Sequence, residues 1–413
     1  MATFWGFAVF MPVGVNYAAA VFLLLAMLAG GNLRQRGTRM RHHFLWWPIV
    51  AYVAWTMVVL VIGAHYPQTP GEVFHGLRIA VTMLLALALS REETVWALRG
   101  FLVACVVALV LILLQNTVGL PDLQIWRAMV RETGNKSINN ALLLATLGVS
   151  AAALGLAHLG DARRWHWAGP AFIVTLAMAV VVTLALPSRT SLLAMLVCVF
   201  AACVHQWRGS WRAMAGALSI VTLATGLLIW QAPASMQKKV ELGLKEIEEA
   251  QAGAQSDASW VTRYYMYRDT GQMMLDKPVA GWGIGAWTSE WHRRAPPVLH
   301  YKNMPHNDFL WMGSQAGIPG FLSLFVILAG GVWVGWRRAD LTGRLGFVGM
   351  LTMLIAATVN SAMRDAQIGL SLLWIAFLYL RMVQESGSPW REVLPQRVSG
   401  VFLSDDGRPT HPL

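Results

Sequence analysis

Charge is what this sequence has least of. Only 13% of its 413 residues are Asp, Glu, Lys or Arg, against 56% hydrophobic, and mean hydropathy is +0.51. That balance excludes an ordinary soluble domain and points to a chain of apolar helices. Alternating apolar and polar residues in segments of about ten are also missing, which excludes a membrane β-barrel. Cysteine is nearly absent. Cys105, Cys198 and Cys203 lie in apolar stretches without metal-ligand spacing and are expected to be small buried hydrophobes. No basic residue precedes Arg34, so the first apolar run lacks the start of a cleavable signal and is expected to stay in the membrane body. No internal repeat is found.

What the chain does have is apolar runs roughly 18 to 24 residues long, enough for a helix to cross about 30 Å of hydrocarbon. Eleven spans are expected, near residues 8–29, 44–64, 73–90, 95–118, 138–159, 168–186, 189–206, 213–232, 317–336, 343–362 and 367–385. The block Phe4 to Met11 ends at Pro12, which lacks an N–H and disfavours helix before it, so this block reads as a separate short helix. The expected fold is therefore an all-α polytopic membrane protein. It has about 12 transmembrane helices, counted as 11 long spans plus a short N-terminal helix, and one large, mostly helical external loop.

The net charge of +11 matters less than its placement. Arg34, Arg36, Arg39 and Arg41, then Arg91 and Arg99, Arg163 and Arg164, Arg208 and Arg212, and Arg337, Arg338 and Arg344 fall in alternate connections. Basic connections stay in the cytoplasm, which puts His65 to Glu72 and Met363 to Gln367 outside. Nucleic acid is excluded as a partner, because no basic patch with interleaved aromatics stands on a soluble face. Four regions follow: an N-terminal bundle (1–232), the external loop (233–305), C-terminal helices (306–385), and a loosely ordered cytoplasmic tail (386–413) rich in Pro, Gly, Ser and charge.

The external loop is nearly neutral, with nine Lys/Arg and eight Asp/Glu. Ser235 to Ala250 reads as an amphipathic helix with Val240, Leu244 and Ile247 on one stripe, and Asp257 to Asp276 as a second helix. Pro278 and the run Gly281-Trp282-Gly283-Ile284-Gly285 then force a loop. The Trp residues near span ends are expected to be interfacial anchors.

Arg189 is the anomaly. It stands in Pro187-Ser188-Arg189-Thr190-Ser191, with no other Lys, Arg, Asp or Glu between Gly169 and Val204. A charge near membrane depth is costly and marks a functional site. Arg263 in the loop and His306 where the chain re-enters the membrane could converge with it. Two planar guanidiniums suit a diphosphate, and they stabilise a departing oxyanion most when its charge is fully developed. His306, in Pro305-His306-Asn307-Asp308, opens an apolar helix. The partial positive charge there, with nearby arginines, favours a neutral imidazole able to act as a general base. Asp257, Asp269, Asp276 and Glu290 are scattered without Asp-x-Asp or His-x-x-x-His pairs, so no metal site and no cofactor are expected.

Three stretches taken together resemble the O-antigen ligase and O-antigen polymerase superfamily of bacterial inner-membrane glycosyltransferases. They are Pro187 to Ser191; Thr262-Arg263-Tyr264-Tyr265-Met266-Tyr267-Arg268 leading into Asp276-Lys277-Pro278-Val279-Ala280-Gly281-Trp282-Gly283; and Pro305-His306-Asn307-Asp308-Phe309-Leu310. Within that superfamily the chain looks most like the lipopolysaccharide O-antigen ligases. The resemblance implies a twelve-helix protein of the Gram-negative inner membrane, with cytoplasmic termini and its large loop in the periplasm. It also implies an undecaprenyl-diphosphate-linked O-antigen donor, a lipid A–core acceptor, and metal-independent transfer with inversion. His306 takes the catalytic-base position, and Arg189 and Arg263 the diphosphate-contacting positions. Tyr267 departs from the Trp of many relatives but keeps an aromatic ring.

Other readings stay open. A polymerase would use the same donor but another lipid-linked glycan as acceptor, and a protein-glycosylating relative is a third enzyme. A lipid-linked glycan transporter would need discontinuous helices and an internal repeat. A structural scaffold would leave Arg189 unexplained. Arg78 is a candidate lipid-phosphate contact or a snorkelling side chain; Arg268, five residues beyond Arg263 and so on a different helix face, is structural or a secondary contact; Arg293, Arg294 and Lys302 are candidate guides for a phosphorylated acceptor or ordinary surface charges near headgroups.

Overall fold

The computed structural model describes residues 1–121, 123–130, 134–159, 164–230, 243 and 245–384. Among these every regular element is a helix: α1 (Ala2–Ala8), α2 (Val13–Ala29), α3 (Leu33–Arg41), α4 (Trp46–Ile62), α5 (Thr69–Ala88), α6 (Arg91–Thr117), α7 (Gln124–Val130), α8 (Gly134–Leu159), α9 (Ala168–Val180), α10 (Arg189–Trp207), α11 (Trp211–Trp230), α12 (Ser259–Asp276), α13 (Ala286–Arg294), α14 (Asp308–Arg337), α15 (Leu341–Val359), α16 (Ala366–Gly369) and α17 (Leu372–Gln384).

Each expected span coincides with an apolar helix, but not every one has spanning length. Among the described residues, α5, α6, α8, α9 with its continuation to Ala185, α10, α14, α15, and α16 with α17 make eight helices long and apolar enough to cross. A ninth arises if α2 and α3, bent by 114°, count as one span. The expected figure of about twelve is thus met by length in eight or nine. α4 and the apolar part of α11 fall just short, and α1, with seven residues, is about 10 Å long. The break after α1 does lie at Pro12, which precedes α2.

The connections gather into two groups on opposite faces. On one, Arg36 pairs with Glu93 at 2.6 Å, Arg381 donates to Leu89 O, and Arg208 donates to Trp336 O. Met1 lines a cavity there with Glu92 and Glu93. On the other, Asn135 meets Asp365, Tyr66 donates to Trp282 O, and Lys136 donates to Met11 O. The basic connections therefore share one face, and the polar loop of residues 259–307 packs on the other.

α14 is two pieces. Ala316 and Gly317 leave helical geometry, Gly317 at φ 69°, with Pro319 just beyond. The carbonyls freed by such a break need donors. The glycine-rich loop supplies two, with Trp282 N donating to Ser314 O and Gly283 N to Gln315 O, and Trp55 Nε1 reaches Ala316 O. Gly281, at φ 66°, must lack a side chain because a Cβ would meet the Gln315 backbone. The span expected from residue 317 is the lower piece. The upper piece, stapled to the loop, carries the chain up to His306.

The tryptophans divide. Trp47, Trp165, Trp211 and Trp230 are exposed, as interfacial anchors would be. Trp5, Trp291, Trp311 and Trp374 are instead fully buried, and Trp5 stacks on Trp374 at 3.9 Å, because interhelical packing claims large rings as readily as the headgroup layer does. The three cysteines are free and buried. Gly243 and residues 245–251 are helical. The rest of the expected Ser235–Ala250 helix, Arg163 and the 386–413 tail lie outside the described residues.

Candidate functional site

Arg189 owes its place to a broken helix. α9 loosens into a π-helical stretch, Val181–Ala185, and Pro187 prevents continuation. Ser188 then caps α10, its hydroxyl accepting from Ser191 N, which sets Arg189 on the first turn. The Arg189 guanidinium donates to Ser259 Oγ at 3.0 Å, at the start of α12.

α12 brings in the second arginine. Trp260 and Arg263 are three apart and so share a helical face. The Arg189 and Arg263 guanidinium carbons lie 5.8 and 5.9 Å from the Trp260 ring centre, so one indole serves both cations. They line a cavity of about 400 Å³ with Tyr264, Tyr267 and Val359. Among the described residues neither arginine has a carboxylate partner. Burial lowers the Arg263 pKa from its usual value; Tyr267 opposes this and the neighbouring Arg189 adds to it. An anion between the two would relieve both effects.

His306 sits one turn further along. Tyr267 follows Arg263 by four residues, and its hydroxyl points to both His306 O (3.1 Å) and Thr358 O (3.3 Å). This contact helps hold His306 at φ 52°, among the described residues the one left-handed conformation outside glycine. Such a backbone persists only when its surroundings determine it. Asn307 caps α14, its side-chain oxygen accepting from Phe309 N and Leu310 N at 3.0 Å each. The His306 Nδ1 is 3.1 Å from Asn360 Oδ1.

Burial pushes the His306 imidazole below its ordinary value. The Asn360 bond opposes that, while Arg263 and Lys302 act in the same direction as burial. Desolvation therefore leads where the helix terminus and arginines had been expected to. Asp308 points elsewhere, its carboxylate accepting from Met363 N at 2.7 Å and Arg364 N at 3.1 Å.

Arg189, Arg263 and His306 thus lie on one face of the bundle, joined through α12. The other basic candidates are engaged. Arg78 is buried and donates to Met363 O, Arg364 O and Tyr17, leaving no exposed head to snorkel. Arg268 pairs with Asp269 while still lining the cavity, Arg293 pairs with Glu290, and Arg294 with Asp276. Lys302 lies over the Tyr301 ring. Sequence reasoning did not single out Trp260, Asn360 or the buried Glu72–Arg364 pair at 2.6 Å. Two isolated charges at the outer ends of apolar runs are the one signal that could have linked Glu72 to Arg364. Among the described residues no three His, Cys, Asp or Glu side chains gather as metal ligands.

A comparison with curated proteins gave no match. Residues 171–325, running from α9 through α12 into α14 and carrying Arg189, Arg263 and His306, match the family model described as O-antigen ligase. Over that stretch, in a body with eight or nine helices apolar and long enough to cross a membrane among the described residues, the chain is similar to the O-antigen ligase family.

Proposed function

We propose that the protein is an O-antigen ligase. It moves polysaccharide from undecaprenyl diphosphate to a hydroxyl of lipid A–core at the periplasmic face of the Gram-negative inner membrane. The observation that carries this reading is the adjacency along α12: a cavity with two arginines lacking described carboxylate partners, one turn from a tyrosine that holds the backbone of a half-buried histidine. Collection of the basic connections on the opposite face supports the periplasmic orientation.

In this reading Arg189 and Arg263 grip the donor diphosphate through charge-assisted hydrogen bonds. The acceptor hydroxyl gives its proton to Nε2 of neutral His306 as its oxygen attacks the anomeric carbon from the side opposite the diphosphate. The glycosidic bond forms, the bond to the diphosphate oxygen breaks, and configuration inverts. Charge grows on the leaving oxygen, where the fixed guanidiniums favour the transition state over the ground state.

The test is transfer by purified protein given lipid-linked glycan, rough lipopolysaccharide and excess chelator. Polymer attached to lipid A–core is the expected product. Extension of the lipid-linked glycan alone would assign a polymerase, and loss of transfer in chelator would overturn the metal-independent chemistry.

A further inference from the structure

We propose that Asn360 is a positioning residue for this transfer, holding His306 in the tautomer whose free lone pair lies on Nε2. The proposal rests on the reading of His306 as the general base.

The backbone fixes the polarity of the contact. Ser361 N lies 3.0 Å from Asn360 Oδ1. A backbone N–H can only donate, so the atom it meets is the amide oxygen and not the amide nitrogen. The same oxygen lies 3.1 Å from His306 Nδ1 and can only accept there. A neutral imidazole so held carries its proton on Nδ1 and keeps Nε2 as acceptor.

The surroundings make this arrangement rigid. Asn360 is buried at 6% exposure and ends α15 in an extended conformation. Two residues after His306, Asp308 accepts from Met363 N and Arg364 N, so the segment bearing the base and the segment bearing Asn360 are tied twice. Arg78 clamps the same loop through Met363 O and Arg364 O, and Arg364 pairs with Glu72.

The groups that bear on the imidazole are Arg263 from α12, Lys302 from the preceding loop, and Asn360 itself, while the Tyr267 hydroxyl meets the His306 backbone carbonyl. Asp308, on the histidine's own segment, and Arg364 are turned to the 363–364 backbone and to Glu72. The partner at Nδ1 is therefore an uncharged acceptor. It orients the ring without adding the negative charge that would favour imidazolium.

The experiment compares Asn360→Ala, Asn360→Asp and His306→Ala in the purified transfer assay over a range of pH. Asn360→Ala should lower kcat on the order of 10²-fold with donor and acceptor KM little changed, since it frees the ring but leaves the binding groups. Asn360→Asp keeps the acceptor and adds charge, so it should retain more activity than the alanine variant. The acidic limb of its pH profile should move to higher pH, an effect that a merely structural asparagine would not produce. A near wild-type kcat in Asn360→Ala, or an unmoved limb in Asn360→Asp, overturns the proposal. Should the alanine variant fail to fold, the aspartate profile decides. Transfer by His306→Ala would instead overturn the base reading on which the proposal stands.

Discussion

Two pairs of arginines occupy the same face of this bundle and live in opposite circumstances. Arg78 and Arg364 are enclosed by protein: one donates to two backbone carbonyls, the other pairs with Glu72 at 2.6 Å. Arg189 and Arg263 share an indole face and a cavity, with a single described hydrogen bond between them, to Ser259. Nature of the side chain does not separate the pairs, and neither does depth along the sequence. The first pair's charge is engaged in holding the 361–364 loop, whereas the second pair faces no carboxylate among the described residues, as the proposed diphosphate role requires. A guanidinium without a built-in counter-charge in a half-buried cavity is costly unless a ligand recovers that cost.

Breaking the comparison from the cavity side should give the largest effect. Arg189→Ala and Arg263→Ala should each lower kcat/KM for the lipid-linked donor about 10²- to 10³-fold, as loss of a transition-state charge partner does, with the protein still folded. Lysine should not restore the rate, because it lacks the paired planar donors. Steady-state kinetics on detergent-purified variants check both statements, and unchanged donor kinetics would remove the diphosphate assignment.

Approached from the structural side, the effect should move from kinetics to stability. Glu72→Ala strands Arg364 in a buried setting, a type of change that costs about 3–5 kcal/mol. A fall in Tm is expected, with donor KM unchanged in whatever protein remains folded. A KM change without a Tm change would erase the distinction between the pairs.

Acidity offers a finer probe. His306 must be neutral to accept a proton, so activity falls as pH drops through its pKa. That pKa is depressed by burial, Arg263 and Lys302, so the acidic limb should lie below the ordinary imidazole value of 6.5. Lys302→Ala removes one depressing charge and should move the limb slightly upward, as a pH–rate profile would show. The smallest effect belongs to Arg268→Ala. This exposed arginine lines the cavity but is paired with Asp269, and its loss should change donor kinetics by less than about threefold.

Much of this was legible before any coordinates. Apolar runs locate the helices, Pro12 marks the break before α2, and Pro187 together with the isolation of Arg189 marks the opening of α10. The Gly281–Gly285 run signals the loop that docks on the α14 kink. Local chemistry determines these features, so local sequence reports them. The pairing of Glu72 with Arg364, the turn of Asp308 away from His306, and the Asn360 contact join segments far apart in the chain, and no periodicity encodes them. Trp5 and Trp374 mislead for the same reason. A tryptophan near a helix end looks alike in sequence whether it meets headgroups or another ring.

The central claim is that one histidine performs the proton transfer while two arginines hold the diphosphate. Its most direct test measures glycan transfer and undecaprenyl diphosphate binding side by side in the His306→Ala protein. The account predicts transfer lowered by about 10³-fold or more, with binding of the lipid diphosphate close to wild type. Transfer at a rate near wild type in that variant would contradict it.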